Sequence, residues 1–231
     1  VREIDRRAIT DYGLPGGVLM ENAGAGTARL LVHTWPDAAV VHVACGRGNN
    51  GGDGFVMARH LELLGRSVRI VLAADPSRIT GDAAVNLAVA RRSGIPVVEL
   101  AHGDATAWRE ALAGADVVVD ALLGTGAEGP PRGPSAIAID AINTLARSSS
   151  SLGVLAVDLP SGLDCDTGAA AGACVRADVT ATYVARKRGF DRPTAVEFTG
   201  VVHVVGIGAP RPLLAEFGVG PQTAEHRRGG S

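Results

Sequence analysis

The chain has 231 residues, 46% hydrophobic and 20% charged, with 31 glycines and 12 prolines but no internal repeat or low-complexity tract. A chain of this size can bury roughly three-quarters of the surface its unfolded form exposes, which excludes a disordered protein. A net charge of −2 leaves no basic footprint for DNA or RNA, and no apolar run reaches the length of a spanning helix, so neither nucleic acid nor membrane is expected as a partner.

In chain order, the first thirty-five residues read as two helices. Ile4, Ala8 and Ile9 fall at helical spacing, and after Leu14-Pro15-Gly16-Gly17 a second helical stretch runs LMENAGAGTARLLVHTW. After Pro36, short β-rich runs alternate with helices. Strands are predicted at 39–45, 67–73, 96–100, 116–123 and 153–159, and helices near 55–64, 82–92, 104–113 and 135–146. Strands that are apolar almost throughout and separated by helices require a parallel sheet covered on both faces. Residues 178–185 and 200–208 read as extra strands on one sheet edge, without a helix between them. The expected architecture is an α/β, Rossmann-like three-layer αβα sandwich with a mostly parallel, doubly wound sheet. One domain is expected over 1–210, followed by a C-terminal tail over 211–231 whose end, PQTAEHRRGGS, is expected to fray. Cys45, Cys165 and Cys174 lack metal spacing and read as free thiols in a reducing, cytoplasmic setting.

The run CGRGNNGGDGF stands where the first strand hands over to a helix. Gly46, Gly48 and Gly51 fit the dinucleotide fingerprint G-x-G-x-x-G, and Asp75 ends the next strand, where a ribose-binding acid belongs. A tight turn is the alternative reading of the glycines, and a kinase-type phosphate loop is excluded because no Lys-Ser/Thr pair follows. The fingerprint leaves Asn49, Asn50 and Asp53 unexplained, since inward amides and a carboxylate need a ligand, a cation or each other. Polar groups recur downstream. Asp120 ends the fourth strand before GTGAEGPPRGP, and Asp158 ends the fifth before PSGLDCDTG, which carries Ser161. In the strand order 3-2-1-4-5, Asn50, Asp120, Asp158 and Ser161 converge at the carboxyl edge beside the topological switch point. Oxygen donors without His or Cys suit a hard cation. Of the 22 Lys and Arg residues a single one, Lys187, is Lys. A stray surface lysine is one reading of it; the other is a position that must present a compact ammonium, which Arg cannot replace.

Four segments, LMENAG (19–24), CGRGNNGGDGFVMARHL (45–61), VVDALLGTG (118–126) and VDLPSGLDCDTG (157–168), resemble the NAD(P)H-hydrate epimerases of the YjeF N-terminal domain family. The resemblance spans about residues 2–210. It implies an isomerase that interconverts the R and S forms of hydrated NADH and NADPH (NADHX and NADPHX), a metabolite-repair activity. Carried over position by position, it implies a potassium ion (K+) on Asn50, Asp120 and Ser161. It places the substrate on Asn49, Asn50, Gly51, Gly52 and Asp53, on Gly124, Thr125, Gly126, Ala127, Glu128, Gly129 and Pro130, and on Asp158. Asp158 is expected to be the acid/base, and relatives carry a lysine where Lys187 stands, near the nicotinamide end of the pocket. The resemblance also implies a homodimer, with LMENAG a contributor to the interface, and functional pairing with an ADP- or ATP-dependent dehydratase. The chain is either a stand-alone epimerase or a piece of a two-domain protein. The family's usual acid before the final Ile-Gly is absent from VVGIGAP, a departure expected to touch no site residue. The alternatives are an NAD-dependent oxidoreductase, for which no hydride-transfer partner is evident, and a non-catalytic nucleotide-binding module, against which the intact site residues speak.

Overall fold

A computed structural model of the chain describes residues 1–220, so the fraying expected for the end of the tail lies outside the described residues. Among these residues one seven-stranded sheet runs β3-β2-β1-β4-β5-β6-β7, with every neighbouring pair parallel. The strands are β1 (Val40–Cys45), β2 (Ser67–Leu72), β3 (Val97–Glu99), β4 (Val117–Ala121), β5 (Gly153–Val157), β6 (Val179–Tyr183) and β7 (Val201–Val205). The order reverses between β1 and β4, which makes their carboxyl ends the switch-point crevice.

Both faces of the sheet are covered, and strand alternation decides what each face meets. Val41, Val43, Ile70, Leu72, Val117, Val119, Leu155 and Val157 share one core with α1 (Arg2–Thr10), α2 (Gly16–Thr34), α3 (Asn49–Leu63) and α4 (Gly81–Arg92). Ala44, Val71, Val118, Val154 and Ala156 share another with Trp108 and Leu112 of α5 (Ala105–Leu112) and with Ile139 and Ile142 of α6 (Pro134–Ser148).

Three features differ from the sequence reading. The third helix begins at Asn49 and not near Phe55, so the polar segment Asn49–Asp53 is the first helical turn. Low-propensity Asn and Gly hold helical form here because tertiary contacts on α2 and the sheet outweigh intrinsic preference. The link between β6 and β7 contains 3-10 turns at Arg188–Asp191 and Pro193–Ala195 and a single turn of helix, α7 (Val196–Thr199), too short to register as a period. Beyond residue 210 lies α8 (Arg211–Glu216), which buries Leu213 and Leu214 in the same core as Ile4 and Ala8 of α1. Arg7 ties the two helices together through Glu216 at 2.6 Å.

Candidate functional site

A cavity of about 1220 Å³ opens at the carboxyl end of the sheet. Its floor and walls include Gly46–Asn50, Asp53, the Gly124–Pro130 loop and Asp158, as well as Asp75 at the β2 end and Tyr183 at the β6 end. Two carboxyl-edge loops and one helix N-terminus thus face one space, the arrangement that suits a phosphate-bearing ligand.

The glycines divide into two kinds. A Cβ on Gly46 would collide with the carbonyl of Leu122, and one on Gly51 with the carbonyl of Gly46. Gly46 is therefore required by the contact between the β1 and β4 ends, and Gly51 by the contact of the first turn of α3 with the β1 end. Gly48 has open space where its Cβ would stand. Gly51 and Gly52 do not line the cavity through their Cα faces; Gly52 is packed on Met20. The first backbone amide of α3 to reach an i−4 carbonyl is that of Gly52, on Gly48 O at 3.1 Å, which leaves the amides before it at the open helix end.

Behind this wall Asn50, Asp120 and Ser161 meet. Asp120 is fully buried, and in the sheet it stands between Ala44 and Ala156, whose small side chains leave room for it. Ser161 donates to it twice, from its amide to Oδ2 at 2.7 Å and from its hydroxyl to Oδ1 at 2.6 Å, and the Leu122 amide adds a bond at 3.2 Å. Burial pushes the Asp120 carboxyl up to about 6 against the pull of these donors. Asn50 Nδ2 donates to the Leu123 carbonyl at 3.1 Å, and the Leu123 amide donates to Ser161 Oγ at 2.9 Å. Asn50 Oδ1 is buried with no hydrogen-bond partner. An orphaned amide oxygen beside a penalised carboxylate, a hydroxyl and a carbonyl fits a hard, oxygen-seeking cation. Among the described residues no group of three His, Cys, Asp or Glu side chains gathers to hold a metal.

Asp158 ends β5 in a left-handed conformation, with φ of 65°. Its turn is closed by the Leu159 amide on the Val157 carbonyl at 2.8 Å. The next strand does the same at Val184, with φ of 66° and the Ala185 amide on the Tyr183 carbonyl at 2.7 Å. Three-residue turns with positive φ are rare and cost about 1–3 kcal/mol each, comparable to the gain from burying one apolar side chain, so the surrounding sheet can hold them. Their result is that Lys187, six per cent exposed, reaches Asp158 Oδ1 at 2.6 Å and donates to Tyr183 O at 3.3 Å. The surface reading of this lysine is thereby overturned. Lys187 is not on the cavity wall; it stands behind Asp158, which is.

Three further groups surround this pair. Burial pushes the Asp53 carboxyl well above its ordinary range, and Asp158 and Asp5 add to the shift. Burial also raises Asp5, with Asp158 adding to it and Lys187 opposing. Tyr183 Oη lies 3.1 Å from Thr27 Oγ1, whose own proton goes to the Ala23 carbonyl at 2.9 Å, so the phenol is the donor.

Several wall residues escaped the sequence reading. Arg2, Asp5 and Ile9 present one face of α1, and Leu19, Met20 and Ala23 one face of α2. The LMENAG helix thus spends its apolar residues inside the protomer, against α3 and the cavity. Ile207 is also on the wall, with its carbonyl held by Asn22 Nδ2 at 2.8 Å, so the terminal segment does touch the site. His102 lies at the Asp75 end. The one signal available in the sequence was the i, i+4 pairing of Asp5 with Ile9 beside the buried Ile4, an acid next to an apolar helix face.

The profile of the family described as YjeF-related protein N-terminus matches residues 16–189. The NAD(P)H-hydrate epimerase of Pirellula staleyi is 46% identical over 221 residues, covering 95% of this chain and 95% of that protein. The bifunctional NAD(P)H-hydrate repair enzyme Nnr of Thermofilum pendens is 41% identical over 216 residues, covering 94% of this chain and 40% of that longer protein. The crystal structure of the yeast protein YNL200c superposes with a TM-score of 0.83 at 25% identity, covering 98% of this chain and 94% of that one.

Proposed function

The chain belongs to the YjeF-related protein N-terminus family, and from that membership we propose that it is an NAD(P)H-hydrate epimerase acting on NADHX and NADPHX. The observation that carries the reading is the Asp158–Lys187 ion pair at the end of a cavity whose walls include two amide-rich loops. The dinucleotide backbone lies along Asn49, Asn50 and Asp53 and along Gly124–Pro130, where helix-end and loop amides meet its phosphates, and the hydrated ring lies at Asp158.

The hydrated carbon bears a hydroxyl and is bonded to the ring nitrogen. Its C–O bond breaks as the nitrogen lone pair forms a C=N iminium, and the hydroxyl leaves as water after taking a proton. Water then adds to the opposite face of the same carbon and gives up a proton, which yields the other epimer. Asp158 stabilises the cationic intermediate and exchanges a proton with the water on the face it meets. Lys187 acts through Asp158 as a positioning residue, holding the carboxylate from behind.

Asn50, Asp120 and Ser161 would hold potassium, supported by the orphaned Asn50 Oδ1 and the buried Asp120. When bound, the ion supplies positive charge that offsets Asp120 beneath the phosphate-facing loops. A second copy of the chain is the expected partner in solution, as the family resemblance implies, and light scattering on the purified protein checks it. The bifunctional relatives support coupling to a dehydratase.

The test is chromatographic. Wild-type protein should accelerate interconversion of R- and S-NADHX, while Asp158→Asn, which suits a left-handed position, should fold and lose turnover by about 10²- to 10⁴-fold. Cofactor reduction without epimerisation would overturn the reading in favour of an oxidoreductase.

A further inference from the structure

An epimerisation that expels a hydroxyl from one face of a ring and adds water to the other moves protons on both faces. A carboxylate anchored at one strand end by Lys187 serves one of them. The other needs a group carried by a different element, inside the same cavity and not already committed to a protein partner.

We propose that Asp5 is the second proton-transfer residue of this site, serving the ring face opposite Asp158. The inference rests on the epimerase reading above. Asp5 lies on α1, whose face Arg2, Asp5 and Ile9 forms one cavity wall, whereas Asp158 is carried by the sheet end. Its Oδ1 is buried yet has no hydrogen-bond partner. A buried carboxyl oxygen left open in a cavity costs free energy unless a ligand or water completes it. Neither α1's helical geometry nor its packing on α2 and α8 uses that oxygen. Asp5 also stands within the electrostatic reach of Asp53, Asp158 and Lys187, so the two proposed proton carriers sense one another. Asp53 also lines the cavity, but from the first turn of α3 beside the loop amides, whereas Asp5 stands on the separate α1 wall.

In one direction the protonated Asp5 carboxyl gives its proton to the leaving hydroxyl, the C–O bond breaks, and water departs. The entering water forms its C–O bond on the Asp158 face and releases a proton to Asp158. In the other direction the roles exchange. Each turnover carries one proton from one carboxyl to the other, and bulk water reached through the cavity mouth resets them.

Oxygen exchange separates the two faces. Wild-type enzyme in water enriched in oxygen-18 should incorporate label into both epimers while interconverting them. Asp5→Asn should lower interconversion by about 10²- to 10⁴-fold. It should still exchange the hydroxyl oxygen of one epimer, because departure and return on the Asp158 face survive. Asp158→Asn should show the converse, with residual exchange confined to the other epimer. Asp5→Ala serves as the second variant. No protein group bonds the open oxygen, so its melting temperature should match or exceed that of the wild type, and its exchange pattern should match that of Asp5→Asn. Wild-type interconversion in either Asp5 variant, or equal loss of exchange from both epimers in a folded one, overturns the proposal. Failure of the wild type itself to epimerise would instead overturn the reading on which it rests.

Discussion

Lys187 Nζ lies 2.6 Å from Asp158 Oδ1, both side chains almost wholly out of solvent, at the ends of adjacent strands β5 and β6. Removing one partner from such a pair leaves an uncompensated charge that is largely out of solvent, and that typically costs about 3–5 kcal/mol. For a domain of this size each kcal/mol lowers the melting temperature by roughly 2–4 °C.

Lys187→Met should therefore melt about 6–20 °C below the wild type. Because Lys187 acts through Asp158, kcat for epimerisation should also fall while KM for the hydrate stays near the wild-type value, a split that a purely structural lysine would not cause. Lys187→Arg keeps the charge but adds bulk to a closed position, so it should recover little of either property. Wild-type turnover and melting in Lys187→Arg would show that only the positive charge matters.

Asp53 makes the protein pay in stability for its site. Its ordinary value of 3.8 is raised well upward by burial, with Asp158 and Asp5 adding to it. The folded chain thus keeps a proton on Asp53 at pH values where the unfolded chain has released it. The contribution is fully present below about pH 4 and is lost as pH rises through the raised value. Asp53→Asn, neutral at all pH values, should flatten that decline. Melting curves from pH 5 to 8 should place it above the wild type at the alkaline end, while epimerase activity falls; parallel curves for the two proteins would exclude this account.

Potassium should stabilise the fold. A ligand at ten times its Kd contributes about 1.4 kcal/mol, or roughly 3–6 °C here. The melting temperature should rise in KCl relative to choline chloride at equal ionic strength, and Asn50→Ala, lacking the orphaned oxygen, should lose the difference. Identical melting of the wild type in both salts would count against a cation on Asn50, Asp120 and Ser161.

The glycine run should tolerate change unevenly. Gly51→Ala drives a Cβ into the Gly46 carbonyl, a backbone atom that cannot step aside, so a loss of about 1–3 kcal/mol and a fall of roughly 2–12 °C are expected. Gly48→Ala meets nothing within 4 Å and has ordinary φ of −91°, so its melting temperature should stay within about 2 °C of the wild type. Thermal melts of the two variants side by side check the contrast.

The parallel sheet, the switch-point crevice and the meeting of Asn50, Asp120, Asp158 and Ser161 near it are legible in the residues alone, because strand periodicity and strand order follow from local patterns of apolar residues and turns. It also carried the four segments that mark the family. What Lys187, Asp5 and the glycines do depends on how distant segments pack together. Lys187 reaches Asp158 through the β5–β6 register and two left-handed turns, and neither leaves a trace in residue spacing. Asp5 reads in sequence as one more acid on an amphipathic helix; it becomes a cavity group because α1 docks against α2 and α8 with that face inward. Gly46 and Gly51 fit a phosphate fingerprint, yet the β4 end and the β1 turn leave them no room for a Cβ. Local pattern fixes which elements form, whereas contacts between distant segments fix which atoms face the cavity, and the chemistry depends on the second.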